Sequence, residues 1–379
     1  AGEQCFAAPV LLGEAELVRA VPGDGAATAL LDVMVRESPN QASFDFHAYG
    51  PLRSLAGERA MLVDQTHESV VVAELAVVKW MVDLEPTPAP TLIEHLSSVG
   101  FTQMPLPWGF VSWGADAPLV VATVTDYLPG ATDGWRWCVD DVGELGLGLR
   151  SMASCLPTAA ELGELVARLH VALASTSAVI PQPVHRAESG DVRSWTQTAR
   201  ALLEEAVQLV GGAEGERLRS RVSRIREAIE GVAVVDSAVT IPVHGDLHVG
   251  QILRWDGGYA VNDFDGNPVL AASDRLLPQP AARDVAGMLQ SLDHVGRVVL
   301  RRVEGVDASR VVEWIAAAQD TFLTSYKTSL SSLNQSRLLD ERFLLPFRVE
   351  QECREFVYAE KHLPRWRYVP DAALQALFP

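Results

Sequence analysis

The chain has 379 residues, 48% of them apolar and 21% charged, with a formal net charge of −18. That length exceeds what one hydrophobic core serves and suits two or three core-bearing units. The acidity excludes nucleic-acid binding through a basic surface, which needs clustered Lys and Arg, and suits a partner that is cationic or arrives with metal ions.

In chain order, 60–63 and 69–72 are predicted strands flanking a polar turn at 64–68, and 75–80 is a third, as in a meander. Prolines 86, 88 and 90 end the sheet pattern; 91–98 is a predicted short helix and 119–125 a β-branched strand. Beyond Tyr127 come the turn Leu128-Pro129-Gly130 and a stretch rich in Gly and Asp. Leu162, Leu165, Val166, Leu169 and Leu173 then recur at spacings of three and four, the apolar face of a helix. Leu218, Val222, Ile225 and Ile229 repeat the pattern, and the Pro-containing segment 181–191 separates the two as a loop. The outline is an α+β chain, β-rich first and helical afterwards, and small-molecule sites favour clefts between such parts.

The four cysteines, Cys5, Cys138, Cys155 and Cys353, are scattered without a C-x-x-C pair. Free thiols in a reducing cytoplasm are expected, not a zinc cluster or a disulfide framework. No apolar run reaches the roughly 18 residues of a membrane span, and the opening AGEQCFAAPVLLGE has no signal-peptide pattern. A cytoplasmic protein is expected.

The chemistry concentrates in 244–265, HGDLHVGQILRWDGGYAVNDFD. A predicted strand at 239–243 leads into His244-Gly245-Asp246. A second begins near Gln251, turns at Asp256-Gly257-Gly258 and returns to Asp263, the Asp-Gly and Gly-Gly steps being hairpin signals. Such a hairpin brings Gln251 near Asp263, with Asp246 on the loop before it. Phosphoryl transfer needs one carboxylate to orient and deprotonate a hydroxyl, and oxygen ligands for a Mg²⁺ that bridges the phosphates. Asp246 is the expected base and Gln251 and Asp263 the expected metal ligands; Asp265 is read either as contacting a second ion or as capping the segment after it. His244 and His248 are expected to brace the loop. A lone H-G-D or D-x-D is common; the combination is specific. No Walker A sequence is present, and Gly146-x-Gly148-x-x-Ser151 succeeds no strand, so it is not read as a dinucleotide motif.

HGDLHVGQIL followed by VNDFDGNP resembles the aminoglycoside phosphotransferase-like kinases, and within them the actinobacterial maltokinases and glucosamine kinases most. DQTHESVVV with VVKW, YLPGATDGWRW, LHVALA, RDVAGMLQSLDH and AEKHLPRWRYVP extend the likeness over most of the chain. The resemblance implies a bilobal, eukaryotic-protein-kinase-like fold with a cap at 1–60, a β-rich N-lobe with hinge at 61–130 and a mainly helical C-lobe at 131–379. It implies ATP and Mg²⁺ as cofactors. By the same likeness, Lys79 is the strand lysine on the nucleotide phosphates and Glu94 its ion-pair partner. Val124, Asp126 and Tyr127 belong to the hinge that meets adenine. Gln251 stands where most kinases have Asn. No glycine-rich phosphate loop is present, the DQTHES turn taking its place; Asp265 and Asn267 stand where maltokinases tend to carry glutamates.

The tail bears on the acceptor. Arg348, Gln351, Glu352, Glu355 and Tyr358 fall on a predicted helix, and their spacing puts Gln351, Glu355 and either Glu352 or Tyr358 on neighbouring faces. Pro364-Arg365-Trp366 comes next, and Asp293 and His294 are read as bordering the site. Carboxylates pair with an ammonium group and Trp stacks on a sugar ring or a cation, so an amino sugar uses both. The expected acceptor is glucosamine, giving glucosamine 6-phosphate; maltose or an aminoglycoside is the alternative. A glycosyltransferase reading of D-F-D leaves Lys79, Asp246 and Gln251 without roles, and a binding module without catalysis is disfavoured by their presence. The expected partners are thus a small sugar and ATP, with no nucleic acid or membrane, for a monomer or homodimer.

Overall fold

The structure, a computed structural model, describes residues 5–12, 16–36, 43–61, 68–114, 118–232, 235 and 237–379. The turn expected at 64–68 lies outside the described residues except for Glu68. The chain forms two compact units, Ala1–Ala131 with Trp255–Leu277, and Thr132–Arg254 with Pro278–Pro379.

The first unit is built on a six-stranded antiparallel sheet. Its strands are β4 (Phe44–Ala48), β5 (Glu58–Ala60), β6 (Glu68–Val72), β7 (Ala76–Trp80), β9 (Pro107–Trp113) and β10 (Leu119–Asp126), in the order β4-β9-β10-β7-β6-β5. Two small pairs accompany it: β1 (Cys5–Phe6) with β8 (Asp83–Leu84), and β2 (Val10–Leu12) with β3 (Leu17–Arg19). β-Branched residues suit the half-buried pleat of the sheet: Val70, Val72, Val78, Val111 and Val124 pack with Leu31 and Met34 of helix α1 (Ala26–Val35). Glu58, on the edge strand, caps that helix; its carboxylate accepts from the N–H groups of Gly25 (2.8 Å), Ala27 (3.1 Å) and Thr28 (3.0 Å). Helix α2 (Ala89–Ser98) starts two residues earlier than expected, because proline is tolerated in a first helical turn. β14 (Gly258–Val261) and the short α7 (Ala272–Arg275) complete the unit. Because β4 pairs with β9 and β5 with β6, the sheet runs across the boundary expected at residue 60.

The second unit is mainly helical, with α3 (Gly134–Gly146), α4 (Met152–Leu173), α5 (Ser189–Leu209), α6 (Gly212–Glu230), α8 (Ala282–Arg302), α9 (Ala308–Ser332), α10 (Leu344–His362) and α11 (Tyr368–Leu377). The segment expected as a loop at 181–191 contains β11 (His185–Glu188), which pairs with β12 (Ser237–Thr240). Strand β13 (Ile252–Trp255) carries the chain to the unit boundary after Arg254. Leu162, Leu165, Val166, Leu169 and Leu173 are fully buried, as their spacing predicts. A second apolar cluster joins Leu203, Ile225, Cys353 and Phe356 of α5, α6 and α10. Among the described residues no helix is long and apolar enough to cross a membrane.

The packing of α4 on α9 depends on Gly163: a Cβ there would lie 2.4 Å from the Phe322 carbonyl oxygen and 2.9 Å from the Tyr326 nitrogen. Gly163→Ala is expected to cost about 1–3 kcal/mol of stability, since backbone rather than a movable side chain must yield. Urea denaturation checks this; a midpoint equal to that of the parent chain would contradict the close contact.

Candidate active site

In the first unit, Lys79 projects from β7 toward the D-F-D segment. Its Nζ lies 2.8 Å from Asp263 Oδ1 and 2.7 Å from Asp265 Oδ2. Burial disfavours the ammonium, but the two carboxylates outweigh it and hold Lys79 protonated above its ordinary range. Phe264, between them, is buried, and Asp263 takes a left-handed φ of 64°. A non-glycine residue in that region is a strained position of the kind held at functional sites. The expected Lys79–Glu94 pair is not formed: Glu94 faces His47 at 4.0 Å, and the aspartates claim the lysine.

At the expected hinge, Val124 lies within β10 between Val78 and Gly109 on the two neighbouring strands and is fully buried. Its side chain belongs to the core of the sheet. The Asp126 N–H donates to the Leu106 carbonyl (2.8 Å) and the Tyr127 N–H to that of Leu75 (2.9 Å). The Asp126 carboxylate accepts from Trp108 Nε1 at 2.7 Å, and the Tyr127 hydroxyl meets Arg59 at 3.0 Å.

In the second unit, His244-Gly245-Asp246 comes after β12. Asp284 of α8, 1% exposed, fixes this turn. Its Oδ2 accepts from the His244 N–H (2.8 Å) and its Oδ1 from the Gly245 N–H (2.9 Å). His170 Nε2 lies 3.2 Å from Oδ2, and His170 Nδ1 faces the Tyr326 hydroxyl at 2.7 Å. Burial opposes the Asp284 charge, yet these partners and the field of His244 keep its carboxyl below the usual range. His244 is buried, its Nδ1 accepting from the Asp246 N–H at 3.3 Å. His248 Nδ1 accepts from the Gly250 N–H at 3.0 Å, capping the single 3₁₀ turn Val249–Gln251. Desolvation, together with the fields of His244 and His294, pushes its pKa down to about 3, so it is neutral and its proton sits on Nε2. Both histidines therefore brace the loop. Gln251 ends the 3₁₀ turn instead of starting a strand, its N–H donating to the His248 carbonyl at 3.0 Å. Gly134, the first residue of α3, lets that helix abut the turn; a Cβ there would lie 1.7 Å from the Val249 carbonyl oxygen.

The tail residues converge on the same unit. Glu355 accepts from Trp366 Nε1 (2.9 Å) and from the Gln351 amide (3.1 Å), and Arg354 donates to Gln351 Oε1 at 3.2 Å. Glu352 is fully buried: its Oε1 accepts from His294 Nε2 at 2.8 Å and from Gln290, while Oε2 has no hydrogen-bond partner among the described residues. That burial removes Glu352 from direct reach of a ligand and makes it the support of His294. Asp293 is also buried and pairs with Arg297 at 3.0 Å. Rings continue the network: Trp366 lies 6.3 Å from His294 and 6.2 Å from Trp135, and Trp135 lies 6.0 Å from His248. The acidic helix and the Asp246 turn are thus connected through Trp135, a residue the sequence offers only as part of a motif.

Among the described residues no three His, Cys, Asp or Glu side chains gather as a metal cage. Mg²⁺ needs only one or two carboxylates and prefers oxygen. Asp263, with 36% of its side chain exposed, and the partly exposed Gln251 amide fit that requirement. Gln251 and Asp263 belong to different units.

No protein-family model matches the chain. It is 48% identical over 368 residues to a glucosamine kinase of Streptacidiphilus jiangxiensis, covering 95% of this chain and 83% of that one. A glucosamine kinase of Mycolicibacterium smegmatis is 42% identical over 369 residues, covering 95% and 89%. The solved structure of a glucosamine kinase in complex with glucosamine, ADP and inorganic phosphate superposes with a TM-score of 0.86 at 45% identity, covering 99% of this chain and 88% of that one.

The His294–Glu352 pair should be visible in the pH dependence of stability. Burial opposes the imidazolium, but Glu352, then Glu355 and Asp293, raise its pKa from 6.5 to about 9. The folded state therefore keeps a proton that the unfolded chain has lost between those values. The stabilisation is complete below about pH 6.5 and lost as pH rises through about 9. Urea unfolding across that range should show the decline, and His294→Gln should flatten it; an unchanged slope in the variant would exclude this assignment.

Proposed function

The chain belongs to the glucosamine kinase family, and on that basis we propose that it transfers the γ-phosphoryl group of ATP to the 6-hydroxyl of glucosamine. The acceptor assignment is supported by the preorganised Gln351–Glu355–Trp366 cluster, linked by ring contacts to the turn that carries Asp246. Glu355 is held by two donors and stays partly exposed, so it can meet an ammonium group without reorganising, while the Trp366 ring flanks the sugar. Maltose has no ammonium group and would leave that carboxylate without a charged partner.

In the reaction, the 6-hydroxyl oxygen attacks the γ-phosphorus, its proton passes to the Asp246 carboxylate, and the bond from the γ-phosphorus to the β–γ bridging oxygen breaks to release ADP. Asp246 gains its position from the Asp284-anchored turn, so orientation as well as basicity is at work. Lys79 is assigned to the nucleotide phosphates, and Asp126 and Tyr127 to the surroundings of adenine. Asp263 and Gln251 are the residues assigned to Mg²⁺, which when bound neutralises charge on the β- and γ-phosphates. A cytoplasmic location fits an ATP-dependent reaction, and the free, buried Cys138, Cys155 and Cys353 suit that reducing compartment.

A panel of glucosamine, maltose and aminoglycosides, assayed for ATP consumption with the phosphorylated position fixed by NMR, tests the assignment. Product on the sugar 6-oxygen with glucosamine is expected, and preference for maltose would overturn it. Asp246→Asn should lower kcat by roughly three or more orders of magnitude, since base and positioning are lost together. Glu355→Gln should raise KM for glucosamine about tenfold or more while KM for ATP stays put, the signature of a lost charge-assisted contact to the acceptor. Equal effects on both substrates would remove Glu355 from the acceptor site.

A further inference from the structure

Lys79 is held by two aspartates of one short segment, and they are not equivalent. Asp263 touches it through Oδ1 at 2.8 Å, and its side chain is 36% exposed. Asp265 touches it through Oδ2 at 2.7 Å, is 19% exposed, and has its other oxygen occupied as well: Thr87 Oγ1 donates to Asp265 Oδ1 at 2.7 Å. The Thr87 oxygen in turn accepts from the N–H of Ala89, the first residue of α2, at 3.3 Å. A continuous chain of bonds therefore runs from the start of α2 through Thr87 and Asp265 to the lysine. An ion pair between Arg275 of α7 and Glu85 lies close by in the same unit.

We propose that Asp265 is the positioning residue for Lys79, replacing a glutamate of α2, and that Thr87 couples that duty to the helix start. The proposal rests on the kinase reading above. A lysine that must point at phosphates needs an anion behind it throughout the reaction. A divalent cation on Asp263 would draw down the negative charge that this carboxylate offers the lysine. Asp265, with Oδ2 on Lys79 and Oδ1 accepting from Thr87, keeps the lysine in place whether or not a cation sits on Asp263. Glu94 lies on α2, as the equivalent glutamate would, but it faces His47 and leaves to Asp265 the pairing with Lys79.

The test compares Asp265→Asn, Thr87→Val and Thr87→Ser in the full chain. Asp265→Asn should raise KM for ATP on the order of tenfold and weaken ADP binding, measured by calorimetry at saturating Mg²⁺, by a similar factor. KM for glucosamine and the Mg²⁺ concentration for half-maximal rate should stay within about twofold, as expected for a group that bonds neither acceptor nor metal. Thr87→Val should weaken nucleotide binding in the same sense and Thr87→Ser restore it. Should Asp265→Asn fail to fold, the valine and serine pair decides alone. An Asp265→Asn enzyme with parental ADP affinity would overturn the proposal, as would a shifted Mg²⁺ requirement with unchanged ADP affinity. If the parent chain itself consumes no ATP with any sugar, the kinase reading fails instead, whatever the variants do.

Discussion

Asp284 is the constraint on which the catalytic half of this protein turns. A carboxylate 1% exposed is costly unless its oxygens are satisfied, and here two backbone N–H groups and one imidazole satisfy them. The same bonds fix the chain direction at His244 and Gly245, immediately before Asp246. The anchor reaches further than the turn. His170 comes from α4 and Tyr326 from α9, and these helices meet where Gly163 lets the backbone of one approach the backbone of the other. Close helix packing, the buried Tyr326–His170–Asp284 relay and the geometry of the turn are therefore one device. Loosening any part leaves a buried polar group without its partner.

Charge is handled differently in the two units. Around Lys79 the two carboxylates are partly exposed and share one lysine. In the helical unit the strongest pair, His294 with Glu352, is almost wholly buried, and it supports a more exposed layer of Glu355, Gln351 and Trp366. The formal charge of −18 is thus spread over groups with distinct duties. Acidity alone suggests a cationic partner without saying which carboxylate would meet it.

The parts of the site legible in the sequence are those written in contiguous residues. His244 to Asp265 carries its candidate residues in order, and the leucines of α4 disclose their face through spacing. Asp284 does not stand out, because its partners lie 40 and 114 positions away and nothing in RDVAG marks a carboxylate turned inward. A place on a helix points to Glu94 as the partner of Lys79, whereas the true partners arrive from 184 and 186 positions further on. The strand expected at 119–125 runs on by one residue to Asp126, with Val124 in the core. The strands Phe44–Ala48 and Pro107–Trp113 also give no clear signal, the second opening with a proline and containing Gly109, both weak strand formers.

Helix α10 shows why a run of acids has to be resolved residue by residue. Three glutamates within six positions occupy three environments. Glu350 is buried between Arg283 and Arg354, at 2.9 and 2.6 Å, and these guanidinium groups overcome its burial and hold its carboxyl below the usual range. Burial pushes the carboxyl of Glu352 up, with His294 and Gln290 pulling against it. Glu355 alone among the three stays partly open and accepts from a tryptophan and an amide. Spacing on a helical wheel places such residues on neighbouring faces, but it says nothing about what each face meets. Here one face is closed by the arginines, one by His294, and the third is left for chemistry. Glu355 is accordingly the acid to which the proposed function assigns the amino group, while Glu350 and Glu352 are spent on partners inside the unit.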